Sequence, residues 1–152
     1  MKILLAIDGS PSSNEAITEI LERPWPENSE VRVITAYEMP VMVGIEPWAA
    51  GLMYFEELQK ATESVSNTVL ENALTKLKSA SGSKLRITGA VVRGPAQQVI
   101  TEEAERWSAD LIVMGSRGLG AWNRLLLGSV SNAVVHHAKC SVEIVRRDEQ
   151  HA

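Results

Sequence analysis

The stretch Asp110-Leu-Ile-Val-Met-Gly-Ser-Arg-Gly118, followed after nine residues by Gly128-Ser129, decides the fold of this chain. Residues 111–114 predict a buried strand that stops at a glycine, and an apolar segment of helical spacing begins at about Ser129. A strand, a glycine-bearing loop and a helix in this order are typical of an anion site. Glycine lets the backbone approach a phosphate and take positive φ angles, while free amides and the helix dipole point at the bound charge.

Apolar runs and amphipathic segments alternate along the rest of the chain. Strands are predicted at 3–7, 31–37, 85–92, 111–114 and 141–145. Helices are predicted after the first, second, third and fourth strands: one capped by Ser12 or Ser13, one over 56–80, one opened by Gly94-Pro95 with proline in its first turn, and one from about Ser129. The alternation predicts an α/β fold with a parallel, doubly wound sheet and helices on both faces.

The second helix follows a long segment without a clear pattern. Residues 38–55 are therefore predicted to form a loop, rich in large apolar residues, that covers a ligand, packs on the core or serves a protein partner. The helix itself carries one apolar stripe at helical spacing, which we expect to face the core: Leu58, Ala61, Val65, Val69, Ala73 and Leu77.

Length and charge limit the functional classes. A chain of 152 residues fits a single domain, 1–152, and a formal charge of −4 with a pI near 5.4 argues against a nucleic-acid binder. The N-terminus lacks a signal-peptide pattern, and no apolar run has membrane-spanning length, so we expect a cytoplasmic protein without a membrane partner. The lone Cys140 agrees with a reducing compartment and is predicted to be a structural thiol.

The glycine spacing differs from both the P-loop and the G-x-G-x-x-G dinucleotide fingerprint. It resembles the nucleotide-binding signature G-x2-G-x9-G-[ST] of the universal stress protein family, in the subgroup that binds ATP, at Gly115, Gly118, Gly128 and Ser129. Asp8-Gly-Ser after the first strand and Gly94-Pro95 before the third helix extend the resemblance over the whole chain. It implies a Rossmann-like sheet of strand order 3-2-1-4-5, in which strands one and four end beside one crevice.

The resemblance implies a set of nucleotide-binding residues: Asp8, Ala36, Met114, Gly115, Arg117, Gly118, Gly128, Ser129, Val130 and Ser131. In similar proteins the aspartate contacts the adenosine part, although Asp8 could equally cap the first helix or its turn. The backbone at Ala36 would hold the adenine edge. Ser129 could cap the fourth helix and donate a hydrogen bond, Ser131 could add another, and Arg117 could offset phosphate charge or be a solvated surface residue.

The ligand expected on this basis is ATP with Mg²⁺. The protein itself shows no metal-ligand set, because His136 and His137 point to different helix faces. The sequence contains residues that could hold a nucleotide, but it lacks the group of residues that phosphoryl transfer normally needs. We therefore expect a regulatory stress-adaptation protein with little or no hydrolysis. The alternatives are a slow ATPase or self-phosphorylating switch using Ser116, Ser129 or Ser131, and a nucleotide-free interaction scaffold, against which the glycine spacing counts.

The resemblance also implies a homodimer paired through the last strand, 141–145. This strand is an apolar edge that would otherwise be exposed to unwanted pairing. Ser141 stands where the family usually has a proline after the cysteine, which leaves the local backbone and the dimer geometry open.

Overall fold

The computed structural model describes residues 1–39, 49–81, 85–119 and 127–146. Strands and helices follow one another as β1 (Lys2–Ala6), α1 (Pro11–Glu22), β2 (Glu30–Tyr37), α2 (Ala49–Ser81), β3 (Arg86–Arg93), α3 (Ala96–Trp107), β4 (Leu111–Gly115), α4 (Ser129–His137) and β5 (Ser141–Val145). The strands form one sheet in the order β3-β2-β1-β4-β5, and every neighbouring pair is parallel. The predicted α/β class and strand order are confirmed.

The core lies on both faces of the sheet, because successive side chains of a strand point to opposite sides. Leu5 and Val33 belong to the cluster under α1 and α2, whereas Leu4 and Ile112 belong to the cluster under α3 and α4. All four are fully buried. The sequences of the central strands are therefore continuous apolar runs, as expected for a parallel sheet covered on both faces.

The first helix begins earlier than the sequence suggested. Its N-cap is Ser10, whose hydroxyl oxygen accepts from the Ser13 amide at 3.2 Å, so the predicted caps Ser12 and Ser13 are wrong. Pro11 explains the shift, because proline suits the first helical position and leaves the residue before it to cap. Pro95 likewise occupies the N-cap of α3 rather than its first turn, and Gly94 before it has a φ of 147°.

The second helix also begins earlier, at Ala49, so the prediction of a loop is wrong for residues 49–55. Residues 40–48 of that predicted loop lie outside the described part of the chain. Met53 and Tyr54 are 69% and 59% exposed. These two large apolar side chains therefore give sequence periodicity no core-facing signal of a helix.

The apolar stripe predicted for α2 faces the core only in its second half. Ala73 and Leu77 are buried, but Val65 is 65% exposed and the buried positions nearby are Ser66 and Leu70. A helix of 33 residues is about 50 Å long, roughly twice the length of the strands beneath it. The N-terminal half thus reaches past the part of the sheet that buries the helix.

The two edges of the sheet are β3 and β5. Arg23, at the C-cap of α1, donates to both carboxylate oxygens of Glu143 on β5, at 2.6 and 2.7 Å. These hydrogen bonds raise the pKa of Arg23, despite the opposing effect of burial. The contact ties α1 to the edge strand.

None of the helices in the described ranges combines the length and the apolar character that crossing a membrane requires.

We predict that Cys140 is a slow thiol. It packs against the cluster under α3 and α4, and burial raises its pKa, so a smaller fraction is thiolate at any pH below that value. Iodoacetamide at pH 8 should alkylate Cys140 several-fold more slowly in the folded protein than in urea. Equal rates would contradict the structural role predicted for this thiol.

Candidate functional site

The turn after β1 and the loop after β4 are joined at the point where strand order reverses. The Asp8 carboxylate accepts from the Ser10 amide at 2.9 Å and, through its other oxygen, from the Leu119 amide at 3.2 Å. The Ser10 hydroxyl donates to the Arg117 carbonyl at 3.3 Å. Asp8 therefore has the structural role in the turn after β1 that the sequence analysis considered for it. Ser10, which sequence reasoning missed, caps α1 and holds the loop after β4.

All ten predicted residues line one cavity of about 510 Å³ beside this junction, which is within the size range of small-molecule sites. They are Asp8, Ala36, Met114, Gly115, Arg117, Gly118, Gly128, Ser129, Val130 and Ser131. The structure adds seven lining residues that sequence reasoning missed: Ala6, Ile7, Ile34, Ala96, Ile100, Leu119 and Leu127. Most are apolar side chains of strands and helices, whose pattern does not distinguish a cavity wall from a core position.

Helix α4 begins at this cavity without a side-chain cap. Its N-cap is Gly128 and Ser129 is its first residue, so the prediction that Ser129 caps the helix is wrong. The amides of the first helical turn have no acceptor inside the helix. Because no side chain in the described ranges caps α4, the amides of Ser129, Val130 and Ser131 remain for a ligand, together with the positive end of the helix dipole.

Two other expected donors are already used within the protein. The Gly128 amide donates to the Ser116 carbonyl at 2.9 Å. The Ser131 hydroxyl lies 3.0 Å from both the Ser116 and the Gly128 carbonyl oxygens, and Ser131 is 2% exposed. These contacts fix the start of α4 against the end of β4, which positions the free amides.

Gly115 and Gly118 serve close approach rather than unusual backbone angles. A Cβ on Gly115 would lie 2.6 Å from the backbone of Ser12, and one on Gly118 would lie 2.8 Å from the Asp8 carboxylate. A Cβ on Gly128 would meet nothing nearer than 3.4 Å, and its φ is −61°. Positive φ angles, expected for this loop, occur instead at Gly9 and Gly94 among the described glycines.

Charge in the cavity is sparse. Among the described lining residues, Arg117 is the only cation and Asp8 the only anion. Both Asp8 oxygens already accept backbone hydrogen bonds. The described ranges hold no group of three or more His, Cys, Asp or Glu side chains that could bind a metal ion. A negatively charged ligand would thus be held by amides, the helix end and one arginine.

The family profile and the relatives of similar sequence give the same family. The profile of the universal stress protein family matches residues 1–146. Universal stress protein A homolog 2 of Coxiella burnetii is 34% identical over 149 residues, covering 95% of this chain and 94% of its own. A Thermus aquaticus universal stress protein is 33% identical over 150 residues, covering 95% and 97%. The chain spans only 49% of universal stress protein MT2052 of Mycobacterium tuberculosis, at 30% identity.

Solved structures share the fold over nearly the whole chain. The protein MJ0577 has a TM-score of 0.80 at 25% identity, covering 98% of this chain and 97% of its own. An Arabidopsis thaliana family protein with AMP bound has a TM-score of 0.67 at 20% identity, covering 98% and 93%. A universal stress protein in complex with cAMP has 0.63 at 24%, covering 96% of each. The last two likenesses, below 25% identity, show the fold.

We predict that alanine substitutions at two signature glycines differ in their effect on the free energy of unfolding. Gly115→Ala should lower the free energy of unfolding by about 1–3 kcal/mol, because the added methyl overlaps the α1 backbone. Gly128→Ala should change the free energy of unfolding by no more than about 0.5 kcal/mol, because the added Cβ meets only ordinary van der Waals contacts. Urea unfolding followed by circular dichroism measures both, and equal destabilisation would contradict the assigned packing role of Gly115.

Proposed function

The chain belongs to the universal stress protein family, and from this premise we propose that it binds ATP with Mg²⁺ in the cytoplasm as a regulatory protein of stress adaptation, with little or no hydrolysis. The observation that carries the proposal is that all ten residues of the predicted nucleotide site line one cavity of about 510 Å³. An uncapped helix at one side of that cavity and apolar walls at the other suit the two halves of a nucleotide.

The phosphates would bind at the start of α4. The amides of Ser129, Val130 and Ser131 are available there, Gly118 leaves the loop open, and Arg117 supplies a positive charge. A hydrogen bond to a charged group contributes roughly 1.5–3 kcal/mol, so three or four such contacts together with base burial suffice for micromolar affinity after the cost of association.

The adenosine part would lie toward the ends of β1 and β2. Ile34 and Ile100 are apolar walls there, and the backbone at Ala36 would meet the adenine edge. Asp8 lies between this end and the glycine loop and would contact the ribose, exchanging its hydrogen bond from Leu119 for one from the sugar. The bound AMP and cAMP of the two structural neighbours support a nucleotide at this fold, and the start of α4 without a side-chain cap supports phosphate binding there.

A divalent cation would bind together with the ATP. ATP is strongly anionic and the protein carries a formal charge of −4, so long-range attraction does not favour binding. Mg²⁺ bridging the phosphates offsets part of this charge and commonly keeps several waters, so it does not require a cage of protein carboxylates. The protein's share of the recognition is then local: amides, a helix end and Arg117.

The placement of the serines supports binding over phosphoryl transfer. Of the three candidate acceptors for self-phosphorylation, Ser116 is 3% exposed and Ser131 is 2% exposed. Of these three serines, only Ser129 is exposed. No acidic side chain other than Asp8 lines the described cavity to activate a nucleophile, and both Asp8 oxygens accept from amides.

Nucleotide binding is tested by calorimetry on protein stripped of any nucleotide retained from expression. ATP with Mg²⁺ should bind one per chain with micromolar or tighter affinity. Gly118→Val should lower the affinity by roughly 10–100-fold, because its side chain displaces the Asp8 carboxylate and narrows the phosphate approach. Val135→Ala, an exposed change on α4 outside the cavity, is the control and should bind as the parent does.

Either of two results would refute the proposed site: no heat of binding in the parent, or parental affinity in a correctly folded Gly118→Val. Phosphate release measured on the same samples separates binding from turnover. Steady release well above the uncatalysed rate, abolished by Gly118→Val, would favour the slow ATPase instead.

We also propose that two chains pair through β5. This strand is an edge, and Val142, Ile144 and Val145 on it are only partly buried. Light scattering at micromolar concentration should give twice the chain mass of 16.6 kDa. Replacing the edge residue Val142 with proline removes an amide that strand pairing would use and should shift the protein toward the monomer, whereas a monomeric parent would defeat the proposal.

A further inference from the structure

A cleft lies between α1 and α2, on the face of the sheet opposite α3 and α4. It is lined by residues of both helices and of the chain between β1 and α1, and we refer to it as the α1–α2 cleft. Its volume is about 260 Å³, about half that of the 510 Å³ cavity beside the glycine loop. Among the described lining residues the two share only Ile7. A ligand of this cleft would therefore be smaller than a nucleotide and would bind separately from it.

The charge of the α1–α2 cleft is that of one lysine. Lys76, on α2, is its only charged residue in the described lining, and the Lys76 ammonium group forms no ion pair or hydrogen bond with a described residue. The cavity beside the glycine loop is lined by Asp8, and a further cavity between β2 and α2 is lined by Asp8 and Glu38. An unpaired cation without a carboxylate in the same lining favours an anionic ligand.

Two primary amides line the cleft together with this cation. Asn14 belongs to α1 and Asn72 to α2, and neither side-chain amide has a hydrogen-bond partner among the described residues. Asn67, on the same helix but outside the cleft, differs because its amide donates to the Glu63 carbonyl at 3.0 Å. Each amide nitrogen offers two donors and the ammonium group offers three. Hydrogen bonds from such donors to an ionised carboxylate are stronger than those between neutral groups.

The remaining side chains of the cleft are mostly apolar. Ile17 and Ala73 are each 3% exposed, whereas Val69 is only half-buried and offers accessible apolar surface. The methylene stem of Lys76 can cover apolar surface while its ammonium group stays in contact with an anion. A ligand with a small apolar body would gain free energy by covering Val69 and this stem.

The charge and the apolar surface of the cleft favour a carboxylate over a phosphate. One lysine balances the single charge of a carboxylate but only part of the charge of a phosphate, in a chain whose formal charge is already −4. Inorganic phosphate also has no apolar part with which to cover Val69. The two oxygens of a carboxylate are suited to the ammonium group of Lys76 and the amides on either helix.

We propose that the α1–α2 cleft is a binding site for a compact monocarboxylate with an apolar body. The carboxylate pairs with Lys76 and accepts from the amides of Asn14 and Asn72, while the apolar body packs on Val69 and the lysine stem. The site requires no nucleotide. Its test is therefore independent of ATP binding, and failure of either proposal leaves the other standing.

The test uses 4-fluorobenzoate as the probe and the full-length, nucleotide-free protein. Saturable ¹⁹F shifts are expected, with a roughly millimolar dissociation constant for so small a ligand. The uncharged 4-fluorobenzamide, of the same shape, should bind at least roughly fivefold more weakly. Methyl resonances of Ile17 and Val69 should shift along the titration, while those of Ile34 and Ile100 in the cavity beside the glycine loop should not. Shifts confined to Ile34 and Ile100, or a linear response without saturation, would overturn the proposal.

Three variants at exposed positions of α2 locate the probe. Lys76→Met keeps an apolar stem without the charge and should weaken binding by a factor of roughly five to ten. Lys78→Met removes an exposed charge from the same helix outside the cleft and should bind as the parent does. Asn72→Leu removes one amide at similar size and should weaken binding roughly threefold or more.

Two further results would refute the proposal. Equal weakening in Lys76→Met and Lys78→Met would show a general attraction of the anion to α2 rather than a site in the cleft. Inorganic phosphate that displaces the probe at lower concentration than unlabelled benzoate would show that the ligand class is wrong.

Discussion

The contact between the turn after β1 and the loop after β4 is the constraint on which the rest of the site depends. A doubly wound sheet produces a crevice wherever strand order reverses, but the loops decide its shape. Here Asp8 accepts from the Leu119 amide, and the Ser10 hydroxyl donates to the Arg117 carbonyl. The same short turn caps α1 and fixes the glycine loop, and Gly118 has no side chain because one would collide with Asp8.

Two helices that begin near this contact are capped in different ways. Ser10 satisfies an amide of α1 from within the protein, whereas Gly128 offers α4 no side chain. Glycine at an N-cap costs roughly a few tenths of a kcal/mol relative to a capping side chain, and an anion bound at the start of α4 would offset that cost. In a chain with a formal charge of −4, an anionic ligand would require a local arrangement of this kind.

The fold class could be predicted from the sequence because continuous apolar strands alternate with helices. The strand order, which is confirmed, and the ten predicted site residues, which all line one cavity, came from the resemblance to the universal stress protein family and not from periodicity. Contacts between distant parts of the chain could not be predicted from such signals. The close approach of Gly115 to the α1 backbone, and the position of Ile100 at a cavity wall as well as in the core, depend on how distant elements meet.

The length of α2 explains why one helix has two environments. Where the sheet lies beneath it, Leu70, Ala73 and Leu77 are buried, whereas Val65 on the predicted apolar stripe is 65% exposed. Val65 and Val69 line a second cavity between the end of β2 and the middle of α2. Asp8 and Leu119 line both that cavity and the one beside the glycine loop. The hydrogen bond from the Leu119 amide to Asp8 therefore lies at the shared wall, so a change in this one contact would alter the shape of both cavities.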